Sequence, residues 1–189
     1  MWAMSTLPNA PYHHGNLRHT LLEVALRILE REGEAGIGLR DLARAVGVSP
    51  AAPYRHFDSR AALLEALAVT GFQRFTARME AVMASEPDNP IAAMGKTYVI
   101  FALQNPNLFR LMFSPTLNKA ARPGLSMAAD AAFETLRRAI GDDTRTGRIR
   151  ALAAWSKVHG LAVLMLDGQI ASAPGEDSDA LLAEIIASL

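Results

Sequence analysis

Residues 39–57 read LRDLARAVGVSPAAPYRHF, and the fold turns on this stretch. Leu42 and Val46 lie on one face of a short helix over residues 39–46. Gly47 breaks that helix, because glycine takes positive φ without steric cost. Val48 points back into a core, Ser49 is placed to cap, and Pro50 occupies the favoured first position of a second short helix over residues 50–57. Ala43 is small enough to let the two helices approach closely. The spacing is that of a helix-turn-helix, whose later helix is offered to a major groove.

The flanks extend this reading. Residues 1–15 contain Pro8, Pro11 and Gly15 without periodicity and are expected to form a flexible arm. Asn16 is placed to cap a helix with Leu17, Leu21, Val24, Ala25, Ile28 and Leu29 on one face. Asp58 or Ser59 caps a long helix running towards Ser85, with a stripe through Leu63, Leu67, Gly71, Phe75, Met79 and Val82. Further helices are expected over residues 90–104, from Asn105–Pro106 onward, over 124–140 and 144–171, and from Ser178 to the end. A loop is expected over residues 114–123, and no segment carries a strand pattern. The fold class is therefore all-α, divided as an arm (1–15), a helix-turn-helix domain (16–62) and a further helical domain (63–189).

Composition agrees. The chain has 189 residues, half of them apolar, and can bury a sizeable core. It has no cysteine, which excludes disulfides, thiolate metal sites and a cysteine nucleophile. No apolar run near the length of a membrane span is evident and no signal-peptide pattern opens the chain, so a cytoplasmic protein without membrane contact is expected. Net charge is zero, yet residues 1–60 carry seven arginines against six carboxylates and four of the five histidines. A nucleic-acid face would need those cations sorted to one side, with Glu30, Glu32 and Glu34 away from it.

The run Gly47-Val48-Ser49, then Tyr54, His56 and Phe57, followed by Asp58, Arg60 and a long apolar helix, resembles the TetR family of transcriptional regulators. The opening YHHGNLR (12–18) and the later Trp155, His159 and Gly160 resemble a branch with a WHG-type C-terminal domain. The N-terminal likeness covers about residues 12–75; the C-terminal one rests on a few residues. Pro53 departs from the family pattern, where an aliphatic residue is common, and Gly38 stands where Ser or Thr often caps. The resemblance implies nine helices, three for DNA and six for ligand and dimer. It implies a homodimer on double-stranded operator DNA, released by an unknown small-molecule effector, with no cofactor and no metal.

Candidate residues follow from the motif. Arg40, Ser49, Pro50, Ala51, Ala52, Tyr54, Arg55, His56 and Arg60 are the candidates for DNA contact. Arg40 and Arg60 suit phosphates, while Ala51 and Ala52 reach only apolar features such as a thymine methyl. Tyr54 is read either as a phosphate donor or as core, and His56 as a phosphate donor or a cap. Tyr12, His13 and His14 are read either as lying along the DNA backbone or as a free arm; adjacent histidines alone do not make a metal site.

Phe72, Phe101, Phe109, Met127, Trp155 and His159 are candidates for an effector pocket. Trp155 and His159 share one helix face, and packing in the core or at an interface is the alternative for them. Ala151, Leu152, Ala162, Met165, Leu166, Leu181, Ile185 and Ile186 are candidates for a dimer seam.

Two other function classes fit the sequence less well. His159, Asp167 and a serine make a triad only on paper, and no nucleophile elbow, phosphate loop or metal-ligand cluster supports an enzyme. A helical protein-interaction module would explain the amphipathic helices but not the turn chemistry of residues 39–60.

Overall fold

The computed structural model describes residues 17–85, 88–170, 182 and 184–186. Among them are seven α-helices and no strand. The first, α1 (Leu17–Glu32), buries Leu21, Leu22, Ala25, Leu26 and Leu29, the inward face expected from spacing. After a 3₁₀ turn at Glu34–Gly36 comes α2 (Leu39–Val46), which buries Leu39, Leu42 and Ala43. Gly47 closes α2 at φ 75°, with its N–H on Arg44 O and the Val48 N–H on Ala43 O. This pair of bonds is a Schellman closure, which satisfies two of the helix's last carbonyls.

The expected α-helix over residues 50–57 is instead a turn followed by a single 3₁₀ turn at Pro53–Arg55. Pro53 has no N–H to return to Ser49, so the first i→i−4 bond cannot form. The segment closes through tighter bonds, Ala52 N to Ser49 O (2.9 Å) and His56 N to Pro53 O (3.0 Å). Pro53 and Phe57 point inward and hold the segment on the head.

Ser59 caps α3 (Arg60–Ser85) by accepting from the Ala62 N–H at 3.1 Å. This 26-residue helix is the spine. It packs on α1, α4 (Pro90–Gln104), α5 (Pro106–Met112) and α6 (Pro123–Ile140), while α7 (Arg145–Leu166) packs on α4 and α6. Asn89 caps α4, Thr144 caps α7, and Gly141 ends α6 in the left-handed region. The loop expected over residues 114–123 contains two 3₁₀ turns, Pro115–Leu117 and Lys119–Ala121.

The helix expected to reach residue 171 stops at Leu166. Gly168, at φ 67°, closes it through bonds from the Gly168 N–H to Met165 O and from the Gln169 N–H to Leu164 O. Of the final helix, the described residues Leu182 and Glu184–Ile186 are helical.

Two clamps fix the segment from α1 to Phe57 onto the start of α5 and the start of α3. The Glu30 carboxylate on α1 accepts from the Leu108 N–H (2.8 Å) and the Asn107 N–H (3.3 Å) at the start of α5, and the Asn107 amide donates back to Glu30 O (3.0 Å). A carboxylate at a helix start meets both its free N–H groups and its positive dipole end. Arg60, opening α3, donates to Ile37 O (2.9 Å) and Glu34 O (2.6 Å) and pairs with the Glu34 carboxylate. Glu32 pairs with Arg31, so these three acids are all engaged by named partners.

By length and hydropathy, α7 passes as a membrane span, contrary to the expectation from the bare sequence. Arg150 and Lys157 interrupt it, and one of its faces packs on α4 and α6. Only 17% of its apolar window is buried within the described residues, so packing on that face accounts for a minor part of its apolar character.

Candidate nucleic-acid interface and cavity

The inward turn of Pro53 and Phe57 leaves their neighbours outside. Ser49, Pro50, Ala51, Tyr54, Arg55 and His56 are exposed, Ala52 is half-buried, and Arg40 is exposed at the start of α2. Tyr54 is 45% exposed and is not core; Phe57, 3% exposed, is, with the Arg18 guanidinium over its ring. The surface combines two arginines, a histidine, a phenol and small apolar groups, which suits phosphate oxygens and a groove floor. Arg60 is exposed as well, but its guanidinium is engaged with Ile37 and Glu34. Arg44 is held by Asp41 on the same helix. Tyr12, His13, His14 and the capping Asn16 lie outside the described residues.

A half-open cavity of about 530 Å³ lies in the body between α3, α4, α6 and α7, in the usual range for a small-molecule site. Phe72, Phe75, Tyr98, Phe113, Phe133 and Trp155 supply its aromatic walls. Of the six residues expected at such a site, Phe72 and Trp155 line it, and the other four do not. Phe101 and Phe109, each 1% exposed, sit in the core behind it, Phe101 against Phe75 and Phe109 against Phe113 and Tyr98. Met127 is 72% exposed, because the lining residues Ala129, Ala132, Phe133 and Leu136 occupy the opposite face of α6. His159 belongs instead to a shallower hollow shared with Phe109, Phe113 and Val163.

Trp155 and His159 meet through a residue from another helix. The Trp155 indole N–H donates to the Tyr98 hydroxyl at 3.2 Å, and that hydroxyl lies 2.7 Å from His159 Nδ1. An indole N–H can only donate, so the Tyr98 oxygen accepts there. In the tautomer with the proton on Nε2, the Tyr98 hydroxyl donates to His159 Nδ1. Burial, followed by the nearby Lys119 ammonium, lowers the His159 pKa from its ordinary value and favours this neutral form. Burial likewise raises the Tyr98 pKa, against the Trp155 hydrogen bond, so the phenol stays protonated.

Sequence spacing does not mark Lys119. Its Nζ lies 4.7 Å from the Phe72 ring centroid and 4.9 Å from that of Phe113, at the cavity wall. It opens a single 3₁₀ turn between helices, too short for periodicity to mark an inward position. Among the described residues no cluster of His, Asp and Glu is placed to hold a metal ion.

The candidates for a dimer seam divide. Ala151 and Ala162 are fully buried within the protomer, and Ile186 lines the cavity. Leu152, Met165, Leu166 and Ile185 are half-buried, and Leu181 lies outside the described residues. The outward stripe of α7 runs instead through Ile149, Ala153, Ser156, Gly160 and Leu164, with Ile149 49% and Leu164 44% exposed.

Comparison with known proteins places this architecture. Residues 21–67 match the family "Bacterial regulatory proteins, tetR family", and residues 91–189 match "Tetracyclin repressor-like, C-terminal domain". The chain is 37% identical over 100 residues to the nucleoid occlusion factor SlmA of Aliivibrio fischeri strain MJ11, covering 51% of each chain. It is 28% identical over 161 residues to SlmA of Vibrio cholerae serotype O1, covering 82% of this chain and 80% of that one. The chain thus spans about half the length of the Aliivibrio relatives it matches.

Among solved structures, a protein of unknown function from Rhodococcus sp. RHA1 superposes with a TM-score of 0.79 at 34% identity, over 95% of this chain and 94% of that one. AibR, solved in complex with isovaleryl coenzyme A and operator DNA, shares the fold at a TM-score of 0.63 and 18% identity, over 90% of this chain and 96% of that one. A matched head, a matched C-terminal segment covering just over half the chain and a common fold lead to one conclusion: this chain belongs to the TetR family of DNA-binding regulators.

Proposed function

We propose that this protein is a transcriptional repressor that binds a palindromic operator as a homodimer and is released from it by a small molecule. The observation that carries this reading is the coexistence of an outward set on the head (Arg40, Ser49, Pro50, Ala51, Tyr54, Arg55 and His56) with a cavity of about 530 Å³ in the body. Arg40, Tyr54, Arg55 and His56 hold phosphates, while Ala51 and Ala52 approach the groove floor. Arg60 acts chiefly by fixing the head through Ile37 and Glu34. The head spans residues 16–62, the body residues 63–189, and α3 begins at their boundary. A chromosomal target places the protein in the cytoplasm.

Dimerisation supplies the second head. The outward stripe of α7, with Leu152, Met165, Leu166 and the final helix at its margins, faces a second copy. Two-fold symmetry then sets the recognition segments about one DNA turn, roughly 34–36 Å, apart and makes the operator palindromic. An effector lowers operator affinity by its preference for the spacing that does not fit DNA, and by no more than that preference.

An electrophoretic shift with the DNA upstream of the gene tests the reading. The double variant Arg40→Ala, Arg55→Ala is expected to weaken all sequences alike and to shallow the dependence of log affinity on log salt by about two charges. A folded double variant with unchanged affinity and slope removes this face from the interface. Sedimentation of the wild-type chain as a monomer at micromolar concentration, with full operator affinity, removes the dimer.

A further inference from the structure

The lining of the body cavity is unbalanced in charge. Three cationic side chains border it, Lys119, Arg150 and Lys157, and no carboxylate does among the described residues. Arg150 and Lys157 are exposed, whereas Lys119 is half-buried. Its ammonium rests on the faces of Phe72 and Phe113, and no carboxylate among the described residues lies within ion-pairing distance of it. Two aromatic faces compensate only part of what a cation loses on leaving water. Accordingly, burial lowers the Lys119 pKa from its ordinary value, with Asp130 opposing only at a distance. Of the neutral polar side chains at the wall, the Tyr98 hydroxyl is used by Trp155 and His159, and the Asn89 side chain caps α4 by accepting from the Ala92 N–H. The rest of the wall is aromatic and aliphatic.

We infer that the effector is an amphiphilic monoanion, a medium-chain or aromatic carboxylic acid, whose carbon body fills the cavity between α3, α4, α6 and α7 and whose carboxylate pairs with Lys119. One half-buried ammonium matches one negative charge. Of the three bordering cations only Lys119 is half-buried against the aromatic walls, while Arg150 and Lys157 are exposed, so the carbon body of a ligand meets one cation, and a neutral alcohol leaves that cation unmatched. This inference rests on the cavity being the effector site of the proposed repressor.

The test uses decanoate, decanol and decanoyl coenzyme A as probes, with the full-length dimer carrying Trp2→Phe so that Trp155, at the cavity wall, reports alone. Decanoate is expected to shift Trp155 emission at concentrations at least about tenfold lower than decanol, the margin of a charge-assisted contact. Lys119→Met keeps the length and apolar stem of the side chain. It is expected to bring decanoate down to the level of decanol while leaving decanol unchanged. Equal binding of acid and alcohol by the wild type overturns the inference, as does an acid preference that survives in Lys119→Met. Saturation by decanoyl coenzyme A with no response to decanoate also overturns it. Operator release is measured on the same samples. Lys119-dependent decanoate binding that leaves the operator complex intact supports the ligand class and sinks ligand release, so the two failures are distinct.

Discussion

Gly47 in the head lies at φ 75° with no heavy atom within 4 Å of where a Cβ would stand. Gly71 in the body is an ordinary helical residue whose Cβ would fall 2.7 Å from Met112 Sδ and 3.0 Å from Leu108 Cδ1. The first position demands a left-handed backbone and has open space around it; the second has the ordinary helical backbone that any residue adopts and demands room. The contrast extends to the two regions as wholes. The head is built by turn chemistry between residues close in sequence. The body is built by helices that meet from far apart and leave a gap between them.

If that contrast is right, substitutions in the two regions fail for different reasons. The largest effect is expected from Phe101→Ala, which removes a ring 1% exposed and packed against Phe75. It should cost roughly 3–5 kcal/mol in denaturant unfolding. A loss below about 1 kcal/mol would place Phe101 on a wall that collapses freely, and so in the cavity after all.

Gly71→Val should come next, at roughly 1–3 kcal/mol from overpacking. Pairing it with Met112→Ala should recover part of the loss, a coupling readable in a double-mutant cycle. Strictly additive losses would break the steric account. Gly47→Ala should cost about 1–2 kcal/mol through the left-handed backbone alone, and Gly47→Asn less, because asparagine tolerates that region. No rescuing partner exists for it, since nothing is near. Equal losses for Ala and Asn would argue against a purely conformational demand.

The smallest effect is a pH slope confined to the body. His159 has its pKa lowered from 6.5 by burial and by Lys119. Between that lowered value and 6.5 the unfolded chain holds more protons than the folded one, so stability falls as pH drops below 6.5. His159→Gln should flatten thermal stability across this window. An unaltered slope would assign the acid sensitivity to other groups.

The same contrast explains what was legible beforehand. α2, the Gly47 turn and the Ser59 cap rest on contacts within a few residues, and spacing reveals them; the Asn89 cap, equally local, lies in a stretch that reads only as a linker between two prolines. Pro53 is the exception in the head, because its missing N–H falls where the first helical bond was needed. In the body, helical spacing marks a residue as inward without saying inward to what. Phe101 and Phe109 read like Phe72, yet two are core and one is wall. Ala151 and Ala162 read as seam, yet they face their own protomer. The Trp155 and His159 pairing was visible, but not the Tyr98 hydroxyl between them, which arrives from a helix more than fifty residues away.

The carboxylate of Glu30 has a mechanical consequence. It grips one end of α5, a helix of seven residues about 10 Å long, and Phe113, immediately past the other end, forms part of the cavity wall. So short a rod does not bend appreciably. Asn107 and Leu108 at one end of this rod and Phe113 at the other are thus held at a nearly fixed separation, and α5 is a rigid spacer between the Glu30 carboxylate of α1 and the cavity wall.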